Sequence, residues 1–274
     1  MQSKIQKYKE KYRYSLILLR ELVITDFKLR YQGSALGYVW SLLRPLFLFV
    51  ILYIVFDRFL RLGSSIPHYP VYLLLGVVLW NYFNEVTGQG ITSVVSKGDL
   101  LRKLNFPKYV IVLAGSFSAF INLLINFAVI SIFMIFNHVE IHFHALYAIP
   151  LICELFLLSL GLAFLLSALF VRLRDLNYIW EIVLQAAFYA TPILYPLALV
   201  IEKSELAAKI LLLNPMAQII QDMRQVLVTD QTTTFEDIFS TGWYRLIPIA
   251  ITLIFVTSAA WYFRRRSPKF AEEI

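Results

Sequence analysis

Six stretches of this chain read as bilayer crossings, and that feature constrains the fold more than any other. A spanning helix needs about 20 mostly apolar residues. The candidate runs are residues 35–56, 71–86, 109–136, 146–171, 178–195 and 245–263. Pro192 and Pro196 interrupt the outer end of the fifth. Hydrophobic residues make up 59% of the 274 positions and charged residues only 16%. A soluble globule of this size cannot bury so large an apolar share. Disordered, collagen-like and soluble nucleic-acid-binding chains are excluded on the same ground.

The net charge of +7 therefore marks loops rather than a nucleic-acid partner. Eighteen of the 25 Lys and Arg fall on one side of the predicted spans. They lie before the first span, in 88–108, at Arg172 and Arg174, and from Arg264 to Lys269. The positive-inside rule predicts both termini in the cytoplasm, which six spans permit. The first fourteen residues are basic and aromatic, and no cleaved signal is expected there. Cys153 is the single cysteine, so no disulfide within the chain and no cysteine metal site is expected.

Three connecting segments carry structure of their own. Residues 15–31 predict a helix at the membrane surface, with Leu16, Leu19, Val23 and Phe27 on one stripe; the alternative is a cytoplasmic helix packed on protein. Gly33 and Gly37 allow a sharp turn from it into the first span. Residues 197–213 are too short and too charged to span, and predict a re-entrant or surface segment outside. In 88–108, Asp99 is placed to cap a short helix whose Leu100, Leu101 and Leu104 form an apolar patch. That patch suits docking on a partner, or resting on lipid headgroups.

Chemical motifs are mostly absent. No G-x-x-x-x-G-K-[ST] loop cradles phosphate, and no hydrolase arrangement is visible. If ATP is used, another subunit hydrolyses it. His138, Glu140, His142 and His144 alternate with apolar residues, which as a strand would put possible zinc ligands on one face; the plainer reading is an external loop. Arg44, Glu85, Asn122, Asn126, Glu154, Glu181 and Gln185 lie within spans, where polar groups are costly and suggest function or interhelical bonds. Trp40, Trp80, Trp180, Trp243 and Trp261 sit near span ends, as in an aromatic belt. Phe49, Tyr53 and Phe56 share one face of the first span, suited either to sugar faces or to a neighbouring helix.

Taken together, the motifs resemble the ABC-2-type polysaccharide exporter permeases. Asp26-Phe27-Lys28-Leu29-Arg30-Tyr31-Gln32-Gly33-Ser34-Ala35-Leu36-Gly37-Tyr38-Val39-Trp40 is similar to the approach to their first span. Lys103-Leu104-Asn105-Phe106-Pro107 resembles their coupling-helix region, and Arg172-Leu173-Arg174-Asp175-Leu176 their signature after span four. Thr191-Pro192-Ile193-Leu194-Tyr195-Pro196 and Asn214-Pro215-Met216 resemble the external re-entrant region, and Pro268-Lys269-Phe270-Ala271-Glu272-Glu273 the tail. Arg44-Pro45 departs from the pattern, since a neutral residue is expected before that proline.

The resemblance implies an all-α integral membrane protein of six transmembrane helices. It would carry an N-terminal amphipathic interface helix (1–34), a cytoplasmic coupling helix, a re-entrant segment near 192–215 between spans five and six, and a cytoplasmic tail at 264–274. The spans would occupy 35–263. The chain would be a plasma-membrane half-transporter without an enzyme site. It would pair with a second copy and with two ATP-binding subunits that hold ATP and Mg; no metal, cofactor or nucleic acid belongs to the chain itself. The cargo would be a glycan on a polyprenyl diphosphate, with a rhamnose-rich wall polysaccharide as the nearest branch. Phe49, Tyr53, Phe56 and Tyr189 are the expected glycan lining, Arg30 and Arg44 the expected diphosphate contacts, and Asp99, Leu100, Leu101 and Leu104 the expected ATPase-coupling residues. Competing readings are an ABC-2 exporter of drugs or small lipids, a membrane-embedded glycosyltransferase, and a proton-driven flippase using Glu154 and Glu181. The glycosyltransferase lacks paired acids or a metal motif, and the flippase lacks the internal repeat common in such carriers.

Overall fold

The computed structural model describes residues 2–31, 36–61, 63, 66–104, 106–140, 142–239 and 246–273, without the side chains of 2–12, 30, 31, 38, 235, 236 and 271. Gly33, Ala35, Asn105, Trp243 and Arg245 lie outside the described residues, as does the Arg30 side chain. The described residues are helical, with no strand among them. Four helical stretches are long and apolar enough to cross a membrane: Trp40–Phe59, Tyr109–Phe136, Phe143–Phe170 and Leu246–Lys269.

The first helix, α1 (Gln2–Tyr31), packs along α5 (Tyr109–Phe136). Leu18, Leu19 and Leu22 rest against the core, while Leu16 is 64% exposed. One end of the predicted stripe is therefore outward and the rest is half-buried on protein. A 3-10 turn at Gly37–Val39, with Gly37 at φ +49°, leads into α2 (Trp40–Tyr53). A π-helical turn, Ile54–Phe59, continues α2 past the predicted end of the first span.

The core is organised around α3 (Tyr69–Ser96), which packs on α6 (Ala148–Phe170), α5 and α2. The sequence predicts a span ending at residue 86, but α3 runs ten residues further. Glu85, Gln89 and two glycines lower its hydropathy and look like a loop. Packing of Gly90, Ile91 and Val94, all buried, keeps it helical. At about 1.5 Å per residue, its 28 residues reach roughly 42 Å, beyond the ~30 Å hydrocarbon layer.

After Lys97 the chain turns into the short α4 (Gly98–Lys103). On the other side of α6 lies α12 (Leu246–Arg266). The fifth predicted span shortens to α7 (Leu176–Ala190), since Thr191 is already extended. Its 15 residues rise about 22 Å. The region beyond it folds as α8 (Ala198–Lys203), α9 (Glu205–Leu212) and α10 (Pro215–Leu227). Asn214 caps α10, accepting from the Met216 amide at 3.0 Å, with Pro215 at its first position. Residues 215–224 are all buried, so the deepest helix of this region begins where the predicted re-entrant segment stops. After it come α11 (Phe235–Phe239) and, beyond α12, α13 (Phe270–Glu273).

The strand alternative for the histidine-rich run fails: no strand forms among its described residues, Phe143–Tyr147 is a 3-10 helix, and the described residues hold no group of three metal ligands. One further expectation changes. Trp80 is 4% exposed and packs on Phe83 and Phe188, so it is core rather than belt.

Candidate functional site

A polar cavity of about 600 Å³ lies between α2, α3 and α5. Helical spacing builds its walls: residues three or four apart share a face. On α3 that face carries Asn81, Asn84, Glu85 and Gln89; on α5 it carries Asn122 and Asn126; on α2 it carries Trp40, Ser41 and Arg44. Four of the seven polar span residues singled out by sequence thus converge on one space. The Asn122 amide donates to both Glu85 carboxylate oxygens, at 3.1 and 3.4 Å, and Gln89 donates to one at 3.4 Å.

Pro45 explains part of this arrangement. A proline inside a helix has no N–H for the carbonyl four residues back, here Ser41. The Asn126 amide donates to that carbonyl at 3.4 Å and to the Asn122 carbonyl at 2.8 Å. A neighbouring helix thereby re-satisfies the backbone, as apolar surroundings require. The Arg44-Pro45 departure puts a cation on the wall beside the freed carbonyl.

The aromatic stripe is not one continuous surface. Phe49 is 4% exposed, stacked on Tyr53 at 5.7 Å and edge-on to Phe133 at 5.6 Å. It packs α2 onto α5, so within this chain it lines nothing. Tyr53 and Phe56 are half-buried against the same core. Tyr189 is 63% exposed on α7, which packs on α3 and α6. Glu181 and Gln185 are exposed on α7, whereas Glu154 is buried and accepts from Thr252 at 3.4 Å.

The expected coupling patch is also rearranged. Leu101 is 6% exposed and belongs to the core, and Leu100 packs against it. Leu104 is 40% exposed, and Asp99, Arg102 and Lys103 are outward. Asp99 is not the cap. Lys97 holds that position, and Asp99 sits in the first turn, where its charge suits the helix dipole. Lys97 pairs with Asp26 at 2.5 Å, which ties the end of α3 to α1.

The segment 267–273 closes this side of the molecule. Phe270 is fully buried against Phe263, which in turn packs on Phe164. Glu273 accepts from Arg172 Nε and Nη2 at 3.3 and 3.0 Å, with Arg266 at 3.6 Å. Lys108 donates to the Ser267 carbonyl at 2.8 Å, and burial lowers its pKa. The hydrogen bonds from Arg172 hold the Glu273 carboxyl below the usual carboxylate range. A depressed acid pKa stabilises the folded state above the ordinary value and loses that effect as pH falls through the lowered one. Protection of 267–273 against hydrogen exchange, taken relative to the intrinsic amide rate at each pH, is therefore expected to be high at neutral pH and to fall at pH below about 4. The Glu273→Gln variant is expected to exchange fast already at neutral pH; unchanged exchange in that variant would contradict the ion-pair assignment.

On the opposite end, sequence reading misses Arg224. This fully buried side chain donates from Nη1 to the Pro192 carbonyl at 2.6 Å, from Nη2 to the Ile193 carbonyl at 2.6 Å, and from Nε to the Tyr72 carbonyl at 3.1 Å. Its guanidinium lies 3.6 Å from the Tyr72 ring centroid. Tyr69 donates to the Leu194 carbonyl at 3.0 Å. Three successive carbonyls of the turn after α7 are thus captured. The available signal is Asn214-Pro215, a capping pair that announces a helix.

Four helical stretches long and apolar enough to span, two of them walling a polar cavity with α3, define a multi-pass membrane protein. The chain belongs to the ABC-2 type transporter family, whose pattern matches residues 18–228. It is 26% identical over 271 residues to the O-antigen export system permease protein RfbA of Myxococcus xanthus, covering 98% of this chain and all of that one. It is 29% identical over 223 residues to the RfbA permease protein of Klebsiella pneumoniae, covering 80% of this chain and 84% of its relative.

Proposed function

We propose that this chain is the membrane-spanning subunit of an ATP-driven exporter of a polysaccharide carried on a polyprenyl diphosphate. The observation that carries the reading is its likeness, over almost its whole length, to the O-antigen export permease of Myxococcus xanthus. Two copies form the path, and two separate ATP-binding subunits supply the energy. The six predicted helices cross the plasma membrane with both termini inside, and α8–α10 form the external re-entrant region. The one-sided basic segments support that orientation, because three of them meet through Lys108–Ser267 and Arg172–Glu273. Arg30 holds the lipid diphosphate, while Arg44, expected beside it, stands at the cavity between α2, α3 and α5; Tyr53, Phe56 and Tyr189 line the glycan's way onward, with Phe49 behind them. A rhamnose-rich wall glycan is the branch the sequence motifs resemble.

The coupling contact is proposed on the outward face of α4. Asp99, Arg102, Lys103 and Leu104 meet the ATP-binding subunit, while Leu100 and Leu101 fix the helix to its own chain. Purified alone, the chain is expected to hydrolyse ATP no faster than a mock preparation. Leu104→Asp is expected to leave folding intact, abolish co-purification of the ATP-binding subunit and stop export. Full co-purification and export in that variant would reject the contact. Loss of surface glycan on deleting the gene, restored by the wild-type chain, tests the reading as a whole; unchanged glycan would reject it.

A further inference from the structure

The cavity between α2, α3 and α5 has a charge balance that a diphosphate site would not have. Its described lining carries one cation, Arg44, and one carboxylate, Glu85, and no other ionisable side chain besides the Tyr82 phenol. A diphosphate brings at least two negative charges. It is bound best where several cations or bidentate guanidinium groups converge. Here one carboxylate accompanies the single guanidinium, so the formal charges of the lining cancel.

The same lining suits neutral hydroxyls. Glu85 presents acceptors whose orientation is fixed by the Asn122 amide. Asn126 adds a further side-chain amide, oriented by its bonds to Ser41 and Asn122. The hydroxyl of Tyr82, a residue only 3% exposed, has no partner among the described residues, a state that costs free energy until a ligand or water supplies one. Trp40, 44% exposed, belongs to the lining, and an indole is the kind of surface that covers the apolar face of a ring. The volume of about 600 Å³ lies inside the ~300–1,000 Å³ range of small-molecule sites.

We infer that this cavity is a subsite for one or two neutral glycosyl residues, read through vicinal hydroxyls by Glu85, Asn122 and Asn126, with Trp40 against the ring. The assignment rests on the exporter reading for its biological role but not for its chemistry. It adds to the aromatic lining proposed above a polar sugar-reading pocket within a single copy. It also leaves Arg44 a hydroxyl donor rather than a diphosphate anchor.

The test uses the full chain in lipid nanodiscs, with methyl α-rhamnoside and methyl α-mannoside as probes and inorganic diphosphate as the rival. Saturation-transfer NMR reads binding. At least one glycoside is expected to bind saturably. Glu85→Ala weakens that binding by about tenfold or more, the effect of losing a charged hydrogen bond. Glu85→Gln, which keeps one acceptor, weakens it less. Trp40→Ala, at an exposed position that folding tolerates, also weakens it. Saturable diphosphate binding lost in Arg44→Met, or glycoside binding indifferent to both Glu85 and Trp40, overturns the subsite. So does the absence of saturable glycoside binding. Export restored in cells by a chain whose glycoside binding ignores Glu85 rejects the subsite alone. Glu85-dependent binding in a chain that restores no export rejects the exporter reading and leaves the subsite standing.

Discussion

Arg224→Ala is expected to lower the stability of the purified chain by about 4 kcal/mol or more. The figure combines two stranded carbonyls, at about 1–3 kcal/mol each, with the cavity left by a large buried side chain. The stranded groups are the carbonyls of Pro192 and Ile193, both outside any helix, which have no ladder to fall back on. Arg224→Lys is expected to recover only part of the loss. An ammonium is a point donor and cannot reach three carbonyls from one planar fork. Gly76 gives a second handle on the same cluster, because a Cβ there would collide with Arg224 Nη2. Gly76→Ala alone is expected to cost about 1–3 kcal/mol as overpacking. In the Arg224→Ala background that penalty should vanish, since the space is vacated. The readout is chemical or thermal unfolding in detergent, run as a double-mutant cycle. Additive effects, or an Arg224→Ala midpoint equal to wild type, would show that the guanidinium does not hold the turn. Export is expected to fail in Arg224→Ala, because Arg224 pins the turn after α7 to the buried α10.

The contrast between Arg224 and Arg44 shows what a sequence of this kind discloses. Both are isolated cations near apolar runs. Arg44 is recognisable as a site residue because it stands inside a span, where charge is unusual. Arg224 reads as one more external loop cation, since its neighbours Gln218, Gln221 and Asp222 look like a solvated surface. In the fold that polar face is turned inward against α3, α6 and α12. No local pattern separates an inward polar face from an outward one; only the partner element decides.

The same reason explains Phe49. Its spacing with Tyr53 and Phe56 is legible, but the direction of the stripe is set by α5, which supplies Phe133. The spans themselves are legible because apolar length is a one-dimensional property. The ends are less so: α3 continues through Glu85 and Gln89 because packing compensates for polarity, whereas α7 stops where Pro192 pushes Thr191 into the extended region, the one end the prolines announce. The pairing of Arg172 with Glu273, 101 positions apart, has no signature in either motif taken singly. The cavity is half legible. Its members stand out one by one as costly polar residues, but their convergence depends on the crossing of three helices.

The seat of α3 on α6 depends on close approach at Gly90, where a small change is expected to have a large effect. A Cβ on Gly90 would lie 2.6 Å from Ala163 Cβ and 2.8 Å from Ala163 Cα. The second clash is with backbone, so no side-chain rotation relieves it. The seam between α3 and α6 must open, and α6 is held on its other face by α12, where Gly161 abuts Val256 in the same way. Gly90→Ala is therefore expected to cost about 1–3 kcal/mol despite the better helix propensity of alanine, which returns at most about 1 kcal/mol. Ala163→Gly added to it should restore only part of the loss, since the clash with the backbone of residue 163 remains. Gly115→Ala is the control: nothing lies within 4 Å of its Cβ position, and it should be neutral or slightly stabilising. Glu85 lies five residues before Gly90 on the same helix and α4 follows it directly, so a displaced α3 would disturb both cavity and coupling face. Export by Gly90→Ala is expected to fall further than its stability alone accounts for. Unfolding midpoints of Gly90→Ala and Gly115→Ala that coincide would show that the α3–α6 seam has slack, and that the cavity's geometry is set elsewhere.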